Sequence, residues 1–133
     1  MTMKIENWDL IFAEEIERSR ELEFSWGEND CLTWALQIAF RLTGRDDEPE
    51  WFGTYKTEKG GMRVLLKNKI KLAEVGTHYF GDPIENVLFG KRGDLAFSGG
   101  AYGIVAGRET IHLSENRGLV TIPLSAATKI WSI

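Results

Sequence analysis

The feature that most constrains this chain is a change of hydrophobic period between its first and last thirds. Trp8, Ile11, Phe12 and Ile16, with Ser19 at the end of the row, recur at helical spacing, and Glu14, Glu15, Glu17 and Arg18 fall outside that stripe. In the last third, the segments 94–97, 101–106, 110–114, 118–123 and 128–133 are short and carry apolar residues at strand spacing. Glycines and polar residues punctuate them, which suggests hairpins and an antiparallel sheet. Helices first and a meander afterwards predict an α+β domain, with N-terminal helices packed on a C-terminal antiparallel sheet.

Between these regions the chain divides by pattern. Residues 24–30 form a break, with Gly27 as its hinge and Asn29 and Asp30 as helix-capping candidates. A second helix is expected over 31–42. Leu32, Ala35, Leu36, Ala39 and Phe40 make it apolar over a wide arc, so it should be buried, and Gly44 should close it. An acidic loop follows over 45–53. A third helix is expected over 61–67 with Met62, Leu65 and Leu66 inward, and a short strand around 70–75.

Composition narrows the class. A chain of 133 residues is the usual size of one domain, 1–133, and is long enough to bury a core without staples. The hydrophobic fraction of 43% and charged fraction of 27% fit a globular protein. A net charge of −4 argues against nucleic-acid binding; the only basic stretch, from Arg63 to Lys71, fits a solvated helix face and the strand after it. With one cysteine no intramolecular disulfide can form. The first residues carry no apolar signal-peptide core, and no apolar run approaches membrane-spanning length. The expected localisation is therefore cytoplasmic on synthesis, which incorporation into a virion would also satisfy. One cysteine, two separated histidines and scattered acids give no metal-ligand spacing, and no phosphate- or dinucleotide-binding glycine motif is present, so neither metal nor cofactor is expected.

The sharpest local feature is Trp26-Gly27-Glu28-Asn29-Asp30-Cys31, leading straight into the buried helix. A cysteine in a first helical turn feels the positive end of the macrodipole and unpaired N–H groups, which favour the thiolate and predict a lowered pKa. Its other reading is a small buried hydrophobe. Asp30 reads as an N-cap, and Asp94 after Gly93 as a turn or strand-start residue. Trp26, Tyr102 and Trp131 are candidates for a groove or for the core. His78 reads first as a surface loop residue, with its role left open.

An Asp-Cys pair opening a buried helix, then Gly-Asp starting a strand, Gly-Ile inside the next, and a histidine beyond it resemble the NlpC/P60 superfamily, whose fold is papain-like. More narrowly, nearly the whole chain is similar to a small phage- and prophage-borne NlpC/P60-like family of undetermined function. The matching segments are 26–31, Thr43 to Asp46, Gly53 to Thr57, Gly61 to Arg63, Arg92-Gly93-Asp94, Tyr102-Gly103-Ile104 and Trp131. The resemblance implies a Cys-His-polar triad with Cys31 as nucleophile and His112 in the orienting position. The base position falls on Ala101, and no histidine lies between Phe97 and Gly107.

Two functions follow as expectations. One is a non-catalytic, tail-associated phage component with a degenerate site, partnered by other tail proteins; the missing base favours it. The other is a cysteine hydrolase acting on cell-wall peptides, with Cys31 attacking, His112 or His78 managing the proton, and backbone N–H groups at the helix start holding the oxyanion.

Overall fold

The computed structural model describes residues 3–133. Its element order is α1 (Trp8–Ser19), α2 (Cys31–Thr43), α3 (Glu58–Lys67), α4 (Val75–Phe80), then β1 (Leu95–Ser98), β2 (Ala101–Ala106), β3 (Glu109–Ser114), β4 (Gly118–Pro123) and β5 (Lys129–Trp131). Helices precede an antiparallel sheet, so the chain is an α+β fold as its periodicity predicts.

Helix α2 is the centre of the core. Asp30 caps it through a capping box, accepting from the Thr33 N–H while the Thr33 hydroxyl meets the Asp30 N–H, and Gly44 closes it at φ 67°. Nine of its residues are buried, among them Trp34, Leu36, Ile38 and Phe40. Helix α1 packs beside it through Phe12 and Ser19. The Ser19 hydroxyl donates to the Glu15 carbonyl and accepts from the Trp34 indole at 2.9 Å. Glu15, expected outside, is buried: its carboxylate pairs with Arg18 one turn along α1 and receives Arg41 across the α1–α2 contact.

Two expectations in the middle third are corrected. Helix α3 starts at Glu58, where Thr57 supplies an N-cap to Gly60. It turns its glycines inward: a Cβ on Gly61 would meet the Tyr55 ring at 2.9 Å. Leu65 shares that face and is buried, whereas Met62 and Leu66 are 51% and 78% exposed, not inward-facing. The strand expected over 70–75 is instead a 3₁₀ turn, Leu72–Glu74, running into α4. The Tyr102 hydroxyl accepts from the Gly76 N–H and donates to the Leu72 carbonyl, and Gly76 lies so close to the Trp131 ring that a Cβ would sit 2.5 Å from it. These tertiary contacts hold the segment helical.

The sheet order is β4-β3-β2-β1-β5, antiparallel throughout. Four strands form the expected meander; the fifth returns to the opposite edge and pairs with β1. Strand alternation divides the sheet into two faces. Leu95, Phe97, Tyr102, Ile104, Leu113 and Trp131 join the helical core, while Ala96, Val105 and Ile130 form a second small core with Leu124 and Ala127, which the sequence reading did not anticipate.

Asp94 does more than start a strand. It is buried, pairs with Lys4 at 3.1 Å, and accepts from the Lys91 and Ile133 N–H groups. Both side chains of the pair are at most 5% exposed. Removing one partner of a buried pair leaves an uncompensated charge, so Asp94→Ala should destabilise the fold by about 3–5 kcal/mol in urea unfolding, and far more than the exposed-pair variant Glu17→Ala.

Candidate functional site: a thiol cavity at the start of α2

Cys31 opens α2, half-buried and unbonded to any other cysteine. Its position follows from local chemistry around Asp30. One carboxylate oxygen accepts from Thr33 N–H at 2.9 Å; the other accepts from Gly27 N–H at 2.8 Å and from the Tyr55 hydroxyl at 2.6 Å. Gly27 has φ 92°, and a Cβ there would fall 1.9 Å from the Tyr55 carbonyl, so only glycine fits this hinge. The Gly27 carbonyl in turn receives Gly53 N–H at 2.8 Å. Helix start, hinge and the loop from Gly53 to Thr57 are thereby tied into one unit.

Over the sulfur lies a cavity of about 110 Å³, lined by Trp26, Leu32, Tyr55, Met62, Leu65 and Leu72, with Glu58, Gly61 and Gly100 completing its wall. Its surface is predominantly apolar. Trp26 thus belongs to the cavity, while Tyr102 and Trp131 are core residues stacked on each other at 5.8 Å. Tyr55 had no role in the sequence reading, although it lies in the matched segment 53–57; its hydroxyl on Asp30 is legible only once the loop is folded back.

The thiol is not activated as a first-turn position suggests. Burial pushes the Cys31 pKa above its ordinary value of 9.0. The Tyr102 N–H pulls it down, the Asp30 carboxylate raises it again, and the N–H groups of Leu32 and Cys31 itself pull down more weakly. Desolvation of the charged form, together with the Asp30 charge, outweighs the backbone N–H groups, so the expected lowering is corrected to a rise.

His112 is brought to the same stretch of backbone as Cys31, but with its nitrogens committed. It is 2% exposed. Nδ1 lies 2.9 Å from the Tyr102 carbonyl, which makes it the protonated nitrogen, and Nε2 accepts from the Thr110 hydroxyl at 2.7 Å. The main chain of Tyr102 therefore faces the sulfur with its N–H and the imidazole with its carbonyl. Gly103 makes room for the ring: a Cβ there would meet His112 at 2.6 Å. By strand parity Ala101 shares the face of Gly103, and it carries only a methyl group. Burial also lowers the His112 pKa below its ordinary 6.5, with the Tyr102 carbonyl opposing, so the ring is neutral at pH 7.

His78 is elsewhere. It lies on α4, exposed, at a shallow groove with Trp51, Lys67, Asn68 and Tyr79, and it does not line the Cys31 cavity. Among the described residues no three His, Cys, Asp or Glu side chains cluster as a metal site, and no helix is long and apolar enough to cross a membrane.

The fold and site define an α+β domain with a helix-borne thiol at the base of a small apolar cavity. The chain belongs to the DUF6950 family, a domain of unknown function whose model matches residues 3–133. No curated protein and no solved structure matches the chain.

Two measurements check this geometry. Iodoacetamide should alkylate Cys31 slowly at neutral pH, with the rate climbing only above pH 9, and His112→Ala should leave that profile in place. A depressed apparent pKa that His112→Ala abolishes would contradict the arrangement described. Separately, the unfolded state binds a proton at His112 more readily than the native state, so stability should be full above about pH 6.5 and decline as pH falls through and below that value. Chemical denaturation at stepped pH should show this slope in the native protein and a shallower one in His112→Gln.

Proposed function

We propose that this chain is a non-catalytic NlpC/P60-like domain, a tail-associated component of phage or prophage origin that binds or assembles rather than hydrolyses. The observation that carries the proposal is the state of the two positions that would manage a proton. Position 101 is alanine, and the imidazole of His112 is neutral, with Nδ1 on the Tyr102 carbonyl and Nε2 on Thr110. A thiol held above its ordinary pKa, with no basic side chain acting on it among the described residues, is a poor nucleophile at neutral pH. The phage setting is drawn from the sequence resemblance alone, and a shared fold does not carry an activity with it.

The alternative is a cysteine hydrolase of cell-wall peptides. One specific observation favours it: backbone N–H groups of Tyr102, Leu32 and Cys31 act on the thiol in the direction that favours its charged form, beside an open cavity. In that reading His112 must leave Thr110 or Tyr102 before it can take the thiol proton.

Incubating the protein with purified peptidoglycan, and following released peptides by mass spectrometry, separates the two. Wild type should release no more peptide than Cys31→Ser. Release by wild type that both Cys31→Ser and His112→Ala abolish would replace the proposal with the hydrolase. Mass spectrometry of purified phage particles produced by a host carrying the gene should then detect the chain as a stoichiometric component.

A further inference from the structure

We infer that copies of this chain associate head to tail, the outer face of α3 in one copy docking on the outer face of α1 in the next. The inference rests on two exposed helical faces that are apolar at the centre and oppositely charged at the rim; on α3, Met62 also edges the Cys31 cavity.

The α3 face follows from its inward-turned glycines. With Gly61 and Leu65 against the core, Met62 and Leu66, one turn apart, point to solvent at 51% and 78% exposure. Lys59, Arg63 and Lys67 run alongside them at intervals of four residues, on the same exposed arc. None of these three cations forms an ion pair among the described residues. Lys69 and Lys71 extend the basic strip, and no acidic residue occurs from Arg63 to Lys71. In a protein of net charge −4 this is a marked local reversal.

The α1 face is its counterpart. Phe12, Glu15 and Ser19 face inward, which leaves Leu10 at 62% exposure and Ala13 beside it on the outside. Asp9, Glu14 and Glu17 surround that pair. Asp9 and Glu14 form no ion pair among the described residues, and Glu17 pairs with Arg20, itself exposed. Two helices presenting exposed leucines within opposite charge fields fit each other as antiparallel partners, with apolar contact at the centre and ion pairs at the rim.

A second copy is the occupant because the complementary surface lies on the chain itself. The contact joins two different faces, so it is heterologous: it closes into a ring if the rotation between copies allows and otherwise extends as a filament. It is independent of whether Cys31 is reactive.

Sedimentation velocity on the full chain tests it, at rising protein concentration in about 50 mM and about 0.5 M sodium chloride, since rim charges are screened over only a few ångströms at the higher salt. At low salt the weight-average mass should climb above 15.1 kDa with concentration, and high salt should weaken association about tenfold or more. A double reversal on α3, Arg63→Glu with Lys67→Glu, should leave a monomer, and so should one on α1, Asp9→Lys with Glu14→Lys. Mixing the two variants should restore association, because each then offers the face the other lacks. All four positions are exposed, so thermal melts should match wild type; Leu66→Ser, which leaves every charge in place, should also weaken association. A chain that stays at 15.1 kDa at every concentration and salt overturns the inference, as does association that survives either reversal or a mixture that remains monomeric.

Discussion

The carboxylate of Asp30 is the interaction on which the rest of the site depends. It is 2% exposed and accepts from three donors drawn from three parts of the chain: the first turn of α2, the Gly27 hinge and the Tyr55 loop. A buried carboxylate is tolerated only when its lone pairs are met, and here each donor would be unsatisfied without it. The arrangement directs α2 with its first residue toward β2, and it folds the Tyr55 loop back so that α3 can seat its glycines on the aromatic ring. The position of Cys31, the wall of its cavity and the outward turn of Met62 and Leu66 all follow from that one cap.

Competing electrostatic effects then decide what the thiol can do. The helix start and the Tyr102 amide favour a thiolate, while burial and the Asp30 charge oppose it, and burial is the larger. The residue that makes the helix start so well formed thus also works against ionising the cysteine that follows it. On the sheet, parity places His112 and Ala101 on the face of Gly103, and the ring folds over that glycine to reach the Tyr102 carbonyl. With Thr110 on its other nitrogen, the imidazole is a satisfied, neutral, buried group. These features support a binding or assembly role over hydrolysis.

Much of the fold was legible because the relevant forces are local. The stripe from Trp8 to Ile16, the cap at Asp30, the close at Gly44 and the strand spacing after Asp94 each act within a few residues, and each element stands where its pattern puts it. The errors share a different cause. Helix α3 turned Met62 and Leu66 outward because Gly60 and Gly61 lie against Tyr55, and periodicity counts glycine as no face at all. Residues 72–80 became helical because Tyr102 and Trp131, from distant strands, hold that segment by hydrogen bonding and close packing. Glu15 reads as solvated until Arg41 arrives from the next helix. Asp94 reads as a turn residue until Lys4, ninety residues away, is folded against it.

The sequence by itself determined that helices precede an antiparallel sheet, that Asp30 caps the helix bearing Cys31, and that no histidine occupies position 101. These are matters of residue identity and short-range hydrogen bonding, so no tertiary contact is needed to read them. Only the tertiary structure decided that the Cys31 thiol is raised rather than lowered in pKa, that both nitrogens of His112 are engaged, and that two oppositely charged helix faces are exposed at the surface. Each of those depends on desolvation or on partners from remote segments, and burial is a property of the packed chain that no local stretch of sequence contains.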